Sequence, residues 1–321
     1  MMSPAVTGYI VRRLVALVPV LFFVSIVTFA VNLLLPGDPA LAYIGEANIN
    51  NRVMYLAVRE ELGLDQPIPV QYIKWLGHAV QGDFGHSIRT REPAVEGLLA
   101  RLPVTLELSL IAMAISLAIA VPIAILSAVR PNSKLDLAGT LVAMTGIAVP
   151  DFWLAILLIY VMAVWLRLLP SSGYVPLETG VWPNLKAMVL PSLALGMGLA
   201  AVVMRQLRSS LIEVLQQEYV LVARAKGLGP SVVLRQHVLK NALIPVVTIL
   251  GLQSGRLFGG AVLIETIFSL PGLGRLAADS ILFRDFPMLQ GVVFIMALAV
   301  TLASLVTDVA YAVLDPRIRY G

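Results

Sequence analysis

The chain has 321 residues, of which 59% are hydrophobic and only 13% are charged, and its formal net charge is +4. Soluble globular proteins carry roughly 25% charged residues, so this composition excludes an ordinary soluble domain. Several apolar runs reach about 20 residues, the length at which a helix crosses a ~30 Å hydrocarbon layer. The sequence therefore predicts an all-α, polytopic membrane protein. The lack of cysteine excludes disulfides, thiolate metal sites and cysteine nucleophiles.

Six apolar runs are predicted to be transmembrane helices. The first is expected to be retained rather than cleaved, because it is longer than the apolar region of a signal peptide and no A-x-A site follows it. The third contains Pro150, which predicts either a kink or a surface helix ahead of the span. No internal repeat is evident. The predicted spans cover residues 14–35, 104–129, 137–166, 188–207, 242–264 and 288–314.

Lysine and arginine are distributed unevenly between the two sides of the six predicted spans. The side that holds both termini has twelve cations and four acids, whereas residues 36–101 hold six cations and eight acids. Cytoplasmic loops are enriched in Lys and Arg, so we expect both termini in the cytoplasm and an extracytoplasmic insertion at 36–101. Short helices are predicted in this insertion at 59–63 and 72–80, interrupted by Pro67 and Pro69.

The longest basic interval between apolar runs follows the fourth span, at residues 208–240. Gly227 is expected to end a helix with positive φ, and Gly229 with Pro230 forms a turn into a second helix. These features predict a projecting two-helix hairpin, although cations here could also follow from topology alone. Apolar spacing predicts a helix along the membrane with one apolar face. The residues of that face are Leu211, Val214, Leu215, Val222 and Ala225.

No sequence motif indicates catalysis. The chain lacks G-x-x-x-x-G-K-[ST], H-E-x-x-H and G-x-S-x-G, which excludes these phosphate-binding, zinc and nucleophile motifs. His78, His86 and His237 are scattered without metal-ligand spacing, and surface or structural roles are predicted for them. We therefore expect no catalytic site, no metal site and no nucleic-acid partner.

Few ionisable residues fall at membrane depth, where they normally face a bundle interior or a water-filled path. Arg256, Asp151 and Glu265 are the candidates for lining a pathway. Asp151 could instead cap a helix that restarts after Pro150, and Arg256 could instead belong to an ion pair. Glu107 is predicted to lie near the membrane interface. The lack of a ladder of acids along one helix disfavours proton-coupled transport.

The basic hairpin contains an ordered set of residues, and similar ordered sets occur along nearly the whole chain. In the hairpin they are Glu218, Tyr219, Val220, Ala223, Arg224, Ala225, Lys226, Gly227, Leu228, His237 and NALIP at 241–245. The other motifs are PGDP at 36–39, LGLDQP at 62–67, GDFG at 82–85, PVTL at 103–106, ETIFSLPGLG at 265–274, RDFP at 284–287 and LDPRIR at 314–319. The hairpin resembles the EAA loop of ABC importer permeases. The complete set resembles the B-type subunit of the dipeptide/oligopeptide/nickel branch.

This resemblance implies a type I ABC importer permease fold in a single transmembrane domain, residues 1–321. A second homologous permease would complete the translocation path, and an extracytoplasmic binding protein would deliver the substrate. Two cytoplasmic ATPase subunits would carry ATP and Mg²⁺, so this chain would hold no cofactor and would otherwise contact membrane lipid. The implied ATPase-coupling residues are Glu218, Tyr219, Ala223, Arg224, Ala225, Lys226, Gly227 and Leu228.

The coupling segment departs from the family pattern at several positions. Lys240 stands where the general loop has a proline, and Glu218 lies nine residues before Gly227 instead of six. Leu221 and Val222 occupy positions where the peptide branch more often has a basic residue and a threonine. Some docking contacts are therefore expected to differ.

The resemblance implies import of short peptides across a prokaryotic cell membrane. Nickel or glutathione import is the alternative within the same class, since the binding protein can determine selectivity. A secondary transporter driven by an ion gradient is disfavoured, because neither a proton relay nor inverted repeats are visible. A channel or scaffold would need no coupling hairpin.

Overall fold

The computed structural model describes residues 4–34, 38–44 and 50–314, and every element in these ranges is helical apart from an isolated β-bridge. Residues 36 and 37 of the motif at 36–39, and all but the first residue of the motif at 314–319, lie outside the described residues. Two helices, α7 and α10, continue as π-helical segments, Ile159–Trp165 and Leu234–Val238. The helices are α1 (Pro4–Leu34), α2 (Pro39–Ile44), α3 (Arg52–Glu61), α4 (Ile68–Val80), α5 (Ala94–Val129), α6 (Lys134–Ala148), α7 (Asp151–Leu158), α8 (Val181–Leu215), α9 (Glu218–Ala225), α10 (Pro230–Val233), α11 (Leu239–Ala242), α12 (Ile244–Ile267), α13 (Leu273–Leu282) and α14 (Phe286–Leu314).

Within the described residues, five helices are long and apolar enough to cross a membrane, or six if the bent pair α6–α7 counts as one span. The five are α1, α5, α8, α12 and α14. This confirms the prediction of an all-α polytopic membrane protein. The observed helices α5 and α8 extend beyond the predicted spans 104–129 and 188–207, because an apolar run reports only the part of a helix that matches the hydrocarbon layer.

The third predicted span is divided into two helices. Val149 is extended, with φ −81° and ψ 124°, and α6 and α7 meet at an angle of 104°. Pro150 supplies no N–H and disfavours the helical conformation for the residue before it, so the chain turns at this point. The chain is broken at Pro150 as both predicted alternatives require, and the size of the bend makes α6 and α7 separate elements.

The described residues group into two compact units. The single transmembrane domain expected from the sequence stays a prediction. Unit 1 is built from Leu106–Leu270 and the described residues of both chain ends, and unit 2 from those of Val11–Thr105 and Pro271–Thr301.

Unit 1 is organised around α8. In the most apolar part of α8, 78% of the residues are buried, whereas the share is 33% or less in the other four long apolar helices. It packs on α6, α7, α11 and α12. Small residues permit this close packing: a Cβ atom at Gly196 would lie 2.6 Å from the carbonyl oxygen of Ala112, so α5 and α8 approach each other backbone to backbone.

Unit 2 joins the polar segment 36–101 to a distant part of the chain. The carboxylate of Asp285 accepts hydrogen bonds from the Ser87 hydroxyl and, at 3.1 Å, from the Ile88 N–H. Helix α13, which the sequence did not predict, contributes to the same core. The buried core residues are Ala79, Phe84, Ala94, Leu98, Leu273, Leu276, Met288 and Val292. The predicted insertion therefore packs with residues 271–301 through this core, and Ala40, Ile44 and Val58 form a second, smaller core within the insertion itself.

The short helix predicted at 72–80 is confirmed within α4, whereas the one predicted at 59–63 is only the end of a longer helix, α3, which begins at Arg52 and ends at Glu61. Pro69 lies in the first turn of α4, where a missing N–H costs nothing, so it begins the helix and does not interrupt it. The preceding helices are held by Asp38, which accepts hydrogen bonds from the Tyr55 hydroxyl at 2.6 Å, the Ala40 N–H at 2.8 Å and Arg59 Nη1 at 3.2 Å. Burial opposes ionisation of Asp38, but these hydrogen bonds and the Arg59 charge hold the pKa of that carboxyl below its ordinary value.

Candidate functional site

The hairpin predicted at residues 208–240 has a helix end that is fixed by a Schellman motif. The Leu228 N–H donates to the Ala223 carbonyl at 3.4 Å, and the Gly227 N–H donates to the Arg224 carbonyl at 2.9 Å. Gly227 has φ +81°, and nothing lies within 4 Å of the position that its Cβ would occupy. Glycine is therefore required here by backbone conformation and not by space. The predicted helix end with positive φ at Gly227 is confirmed.

Helix α9 buries a different face from the predicted one. Leu211, Val214 and Leu215 belong to α8, which ends at Leu215, and the chain bends before α9 begins. Within α9, Val220 and Ala223 are buried, whereas Val222 is 52% exposed and Ala225 is exposed as well. The prediction that all five residues share one apolar face is wrong, because the bend separates them into two helices.

The second arm of the hairpin is bonded to the first. Gly229 is the N-cap of α10 and Pro230 begins that helix, which confirms the predicted turn. Asn241 Nδ2 donates to the Tyr219 hydroxyl at 2.8 Å and to the His237 carbonyl at 3.2 Å. The amide of Asn241 thus connects the start of α9 to the end of the second arm.

Most of the predicted coupling residues are accessible on this hairpin. Ala223 is buried at 5% exposure and anchors α9. The exposed ones are Glu218, Tyr219, Arg224, Ala225, Lys226, Gly227 and Leu228. The divergent residues Leu221 and Val222 are also exposed, at 53% and 52%. A partner would therefore meet a mixed basic and apolar surface on a helix whose end is fixed, and the coupling role of these residues stays a prediction.

Two of the three predicted pathway residues lie close together in unit 1. Arg256 Nη2, near the middle of α12, is 4.0 Å from Asp151 Oδ2 at the start of α7. This separation permits electrostatic attraction but is too long for a hydrogen bond. Pro150 is the N-cap of α7, so Asp151 lies in its first turn, where a negative charge is favoured. The cavity at the pair is lined by Asp151, Leu195, Leu199, Gln253, Arg256 and Leu257.

The third predicted pathway residue, Glu265, lies farther along α12 and is fully buried. Its backbone carbonyl accepts a hydrogen bond from the Leu270 N–H at 2.8 Å, which helps to close the C-terminal end of α12. Its role in a pathway stays a prediction. Among the described residues, no group of three or more His, Asp or Glu side chains is arranged to hold a metal ion.

Two polar clusters in unit 1 were not foreseen from the sequence. Glu107 accepts hydrogen bonds from the Tyr174 hydroxyl at 2.8 Å and from Asn184 Nδ2 at 2.7 Å. Burial, together with the neighbouring carboxylate of Glu107, raises the pKa of Tyr174 to about 12. In the second cluster Arg208 contacts Asp136 through two hydrogen bonds of 2.6 and 2.7 Å, joining α8 to α6. Each cluster unites residues far apart in sequence, and no local pattern marks them.

Comparison with known proteins gives concordant results. A family model described as "binding-protein-dependent transport system inner membrane component" matches residues 120–320, and its N-terminal companion model matches residues 6–109. The oligopeptide transport system permease protein AppB of Bacillus subtilis is 40% identical over 98% of this chain and 99% of its own length. The dipeptide transport system permease protein DppB of Alkalihalophilus pseudofirmus is 39% identical, and the glutathione transport system permease protein GsiC of Salmonella paratyphi A is 41% identical, each over 98% of this chain and 99% of its own length.

A solved structure supports the fold. The chain is similar to an inward-facing form of the MetNI methionine ABC transporter, with a TM-score of 0.57 and 18% identity over 68% of this chain and 95% of that one. At this identity the likeness shows a shared fold, and the predicted ABC importer permease fold is confirmed.

Proposed function

The chain belongs to the family of binding-protein-dependent transport system inner membrane components, and we propose that it forms half of the translocation path of an ATP-driven importer of short peptides. Its partners are a second homologous permease, two ATPase subunits that bind ATP and Mg²⁺, and an extracytoplasmic binding protein. In this arrangement the chain is a multi-pass protein of the prokaryotic cell membrane with both termini and the hairpin in the cytoplasm. It carries no cofactor and catalyses no reaction of its own.

The observation that carries this proposal is the accessible hairpin with a fixed helix end. The sequence has no motif for cradling ATP phosphates, so in an ATP-driven importer the energy of hydrolysis reaches this chain as movement of the ATPase subunits. The Schellman motif at Gly227 and the Asn241 hydrogen bonds hold α9 in one orientation, and α11 packs on α8. A displacement of α9 by a partner would therefore move the hairpin as a rigid body and displace α8, the central helix of unit 1.

Peptides are the proposed substrates because relatives named as oligopeptide and dipeptide permeases match the chain along almost their entire length. A glutathione permease is equally similar, at 41% identity, and glutathione is itself a short peptide. Glutathione is therefore the second candidate, within the same transport mechanism.

Transport by the reconstituted complex tests this function. The chain is purified with its partner permease and ATPases, placed in vesicles that enclose ATP, and supplied with the binding protein outside. A library of di- to pentapeptides plus glutathione is offered, and the accumulated compounds are identified by mass spectrometry. We expect ATP-dependent accumulation that requires the binding protein. Accumulation that continues without ATP and is abolished by collapsing the ion gradient would instead establish a secondary transporter.

A further inference from the structure

The cavity between α7, α8 and α12 has the features of an anion-binding site. We propose that Arg256 binds the carboxylate of the transported substrate, and that Asp151 holds the Arg256 guanidinium in place when the path is empty. This inference rests on the proposed function, because it assigns the chemical group of the peptide that the path recognises.

The geometry of the pair differs from that of a structural ion pair. A charged pair away from water repays its desolvation only with short hydrogen bonds and good geometry. Arg208 and Asp136 meet this condition, with contacts of 2.6 and 2.7 Å and a carboxylate side chain that is 6% exposed. Arg256 and Asp151 are 4.0 Å apart, and their side chains are 47% and 22% exposed. The second pair is therefore open and only loosely held.

The surrounding helices leave room for the two charged groups. A Cβ at Gly198 on α8 would lie 2.9 Å from Arg256 Nη2 and 3.3 Å from Asp151 Oδ1. A Cβ at Gly260 on α12 would lie 3.7 Å from Asp151 Oδ2. Any side chain at Gly198 would enter the space of the guanidinium. Because leucines form much of the wall, charges in this cavity interact more strongly than they would in water.

A carboxylate is the ligand that fits this arrangement. The guanidinium has five N–H donors in a planar fork that matches both oxygens of a carboxylate, and the separation from Asp151 leaves this fork free of a hydrogen bond to that residue. In the empty path the Asp151 charge compensates the Arg256 charge, which lowers the cost of placing arginine at membrane depth. A substrate carboxylate replaces Asp151 by forming the hydrogen bonds that the 4.0 Å pair lacks.

Uptake by the reconstituted complex tests the assignment. The same peptide library is offered as free acids, as C-terminal amides and as N-acetylated acids to complexes containing wild-type, R256Q, R256K or D151N chains. We expect R256Q to lower free-acid uptake about tenfold, the effect of losing one charge-assisted hydrogen bond, and to bring the acid-to-amide ratio toward one. R256K should fall between R256Q and wild type, because it keeps the charge but not the fork.

The D151N variant separates binding from structural support. We expect it to lower free-acid uptake less than R256Q does and to keep the acid-to-amide ratio above one, because the guanidinium that binds the carboxylate remains, whereas a structural pair would make D151N and R256Q equally harmful. Equal losses in D151N and R256Q, or no loss in R256Q, would overturn the inference. If the wild-type complex accumulates no peptide at all, the proposed function itself fails, and the two failures are thereby distinguished.

A pair of glycine variants provides a test that leaves all charges in place. Gly198→Ala displaces the guanidinium and should lower free-acid uptake severalfold, with less effect on amides. Gly259→Ala on α12 is the matched control, because nothing lies within 4 Å of its Cβ position and both changes raise helix propensity. Equal uptake by the two variants would contradict the role of the cavity.

Discussion

Replacing Gly227 with valine should uncouple ATP hydrolysis from transport. The position of its Cβ is open, so the cost comes entirely from holding an L-residue at φ +81°. This conformation costs about 1–2 kcal/mol for an ordinary residue and more for a β-branched one. Because 1.4 kcal/mol corresponds to tenfold, the population with the α9 end closed should fall about tenfold or more. Asparagine, which tolerates positive φ, should cause a smaller loss.

The assay is substrate-stimulated ATP hydrolysis together with uptake in vesicles, with the thermal stability of the purified complex measured in parallel. Gly229→Val is the matched control, since Gly229 also has no atom within 4 Å of its Cβ position but adopts φ −64° and ψ 151°, which valine accepts. It should lose only the small capping preference of glycine. If Gly227→Val retained wild-type coupling, or if Gly229→Val were equally harmful, α9 would not transmit motion through its fixed end.

Three further changes test contacts elsewhere in the chain. Arg208→Ala leaves the buried carboxylate of Asp136 without its two hydrogen bonds, and should lower stability by about 2–3 kcal/mol in thermal unfolding. Gly251→Ala places a Cβ 2.6 Å from Thr307 Cγ2 and should cost about 1–3 kcal/mol, part of which Thr307→Ala restores. Asp38→Asn should destabilise the folded protein at neutral pH. Because folding lowers the pKa of Asp38, the extra stability of the wild type is complete above about pH 4 and is lost as the pH falls through the pKa of Asp38 in the folded state.

Matched variants make these results specific. Arg205→Ala removes an exposed arginine from the same helix as Arg208 and should change stability little. Gly259→Ala adds the same methyl group to α12 as Gly251→Ala, but into open space. A destabilisation of similar size in either control would show that the effect comes from the helix and not from the contact. A pH-independent difference between wild type and Asp38→Asn would contradict the lowered pKa.

The features that could be predicted are those encoded locally. Apolar runs identify transmembrane helices because each helix must by itself be long and apolar enough to cross the hydrocarbon layer. The break at Pro150 and the helix end at Gly227 are equally local, since they depend on the backbone preferences of one or two residues. The apolar face of α9 was wrongly predicted because no proline or glycine marks the bend between α8 and α9, and glutamines occupy positions 216 and 217.

Contacts between distant residues could not be predicted in this way. Asp136 and Arg208 each count as an ordinary loop charge in the sequence, yet they form a two-hydrogen-bond pair. Arg256 and Asp151 were each identified by their cost in the membrane, but only the structure brings them within 4.0 Å. The sequence shows that a buried charge needs an oppositely charged partner, but the identity of that partner depends on how the helices pack.

The composition of unit 2 has a consequence for biosynthesis. Its core requires both Val11–Thr105 and Pro271–Thr301, so the ribosome must synthesise the whole intervening stretch before that core can close. At 5–20 residues per second this delay is roughly 10–30 s. During it Phe84 and Leu98 lack Met288 and Val292, and the Ser87 hydroxyl lacks Asp285. The N-terminal segment therefore waits in the nascent chain with part of its core surface uncovered until the C-terminal segment has been made.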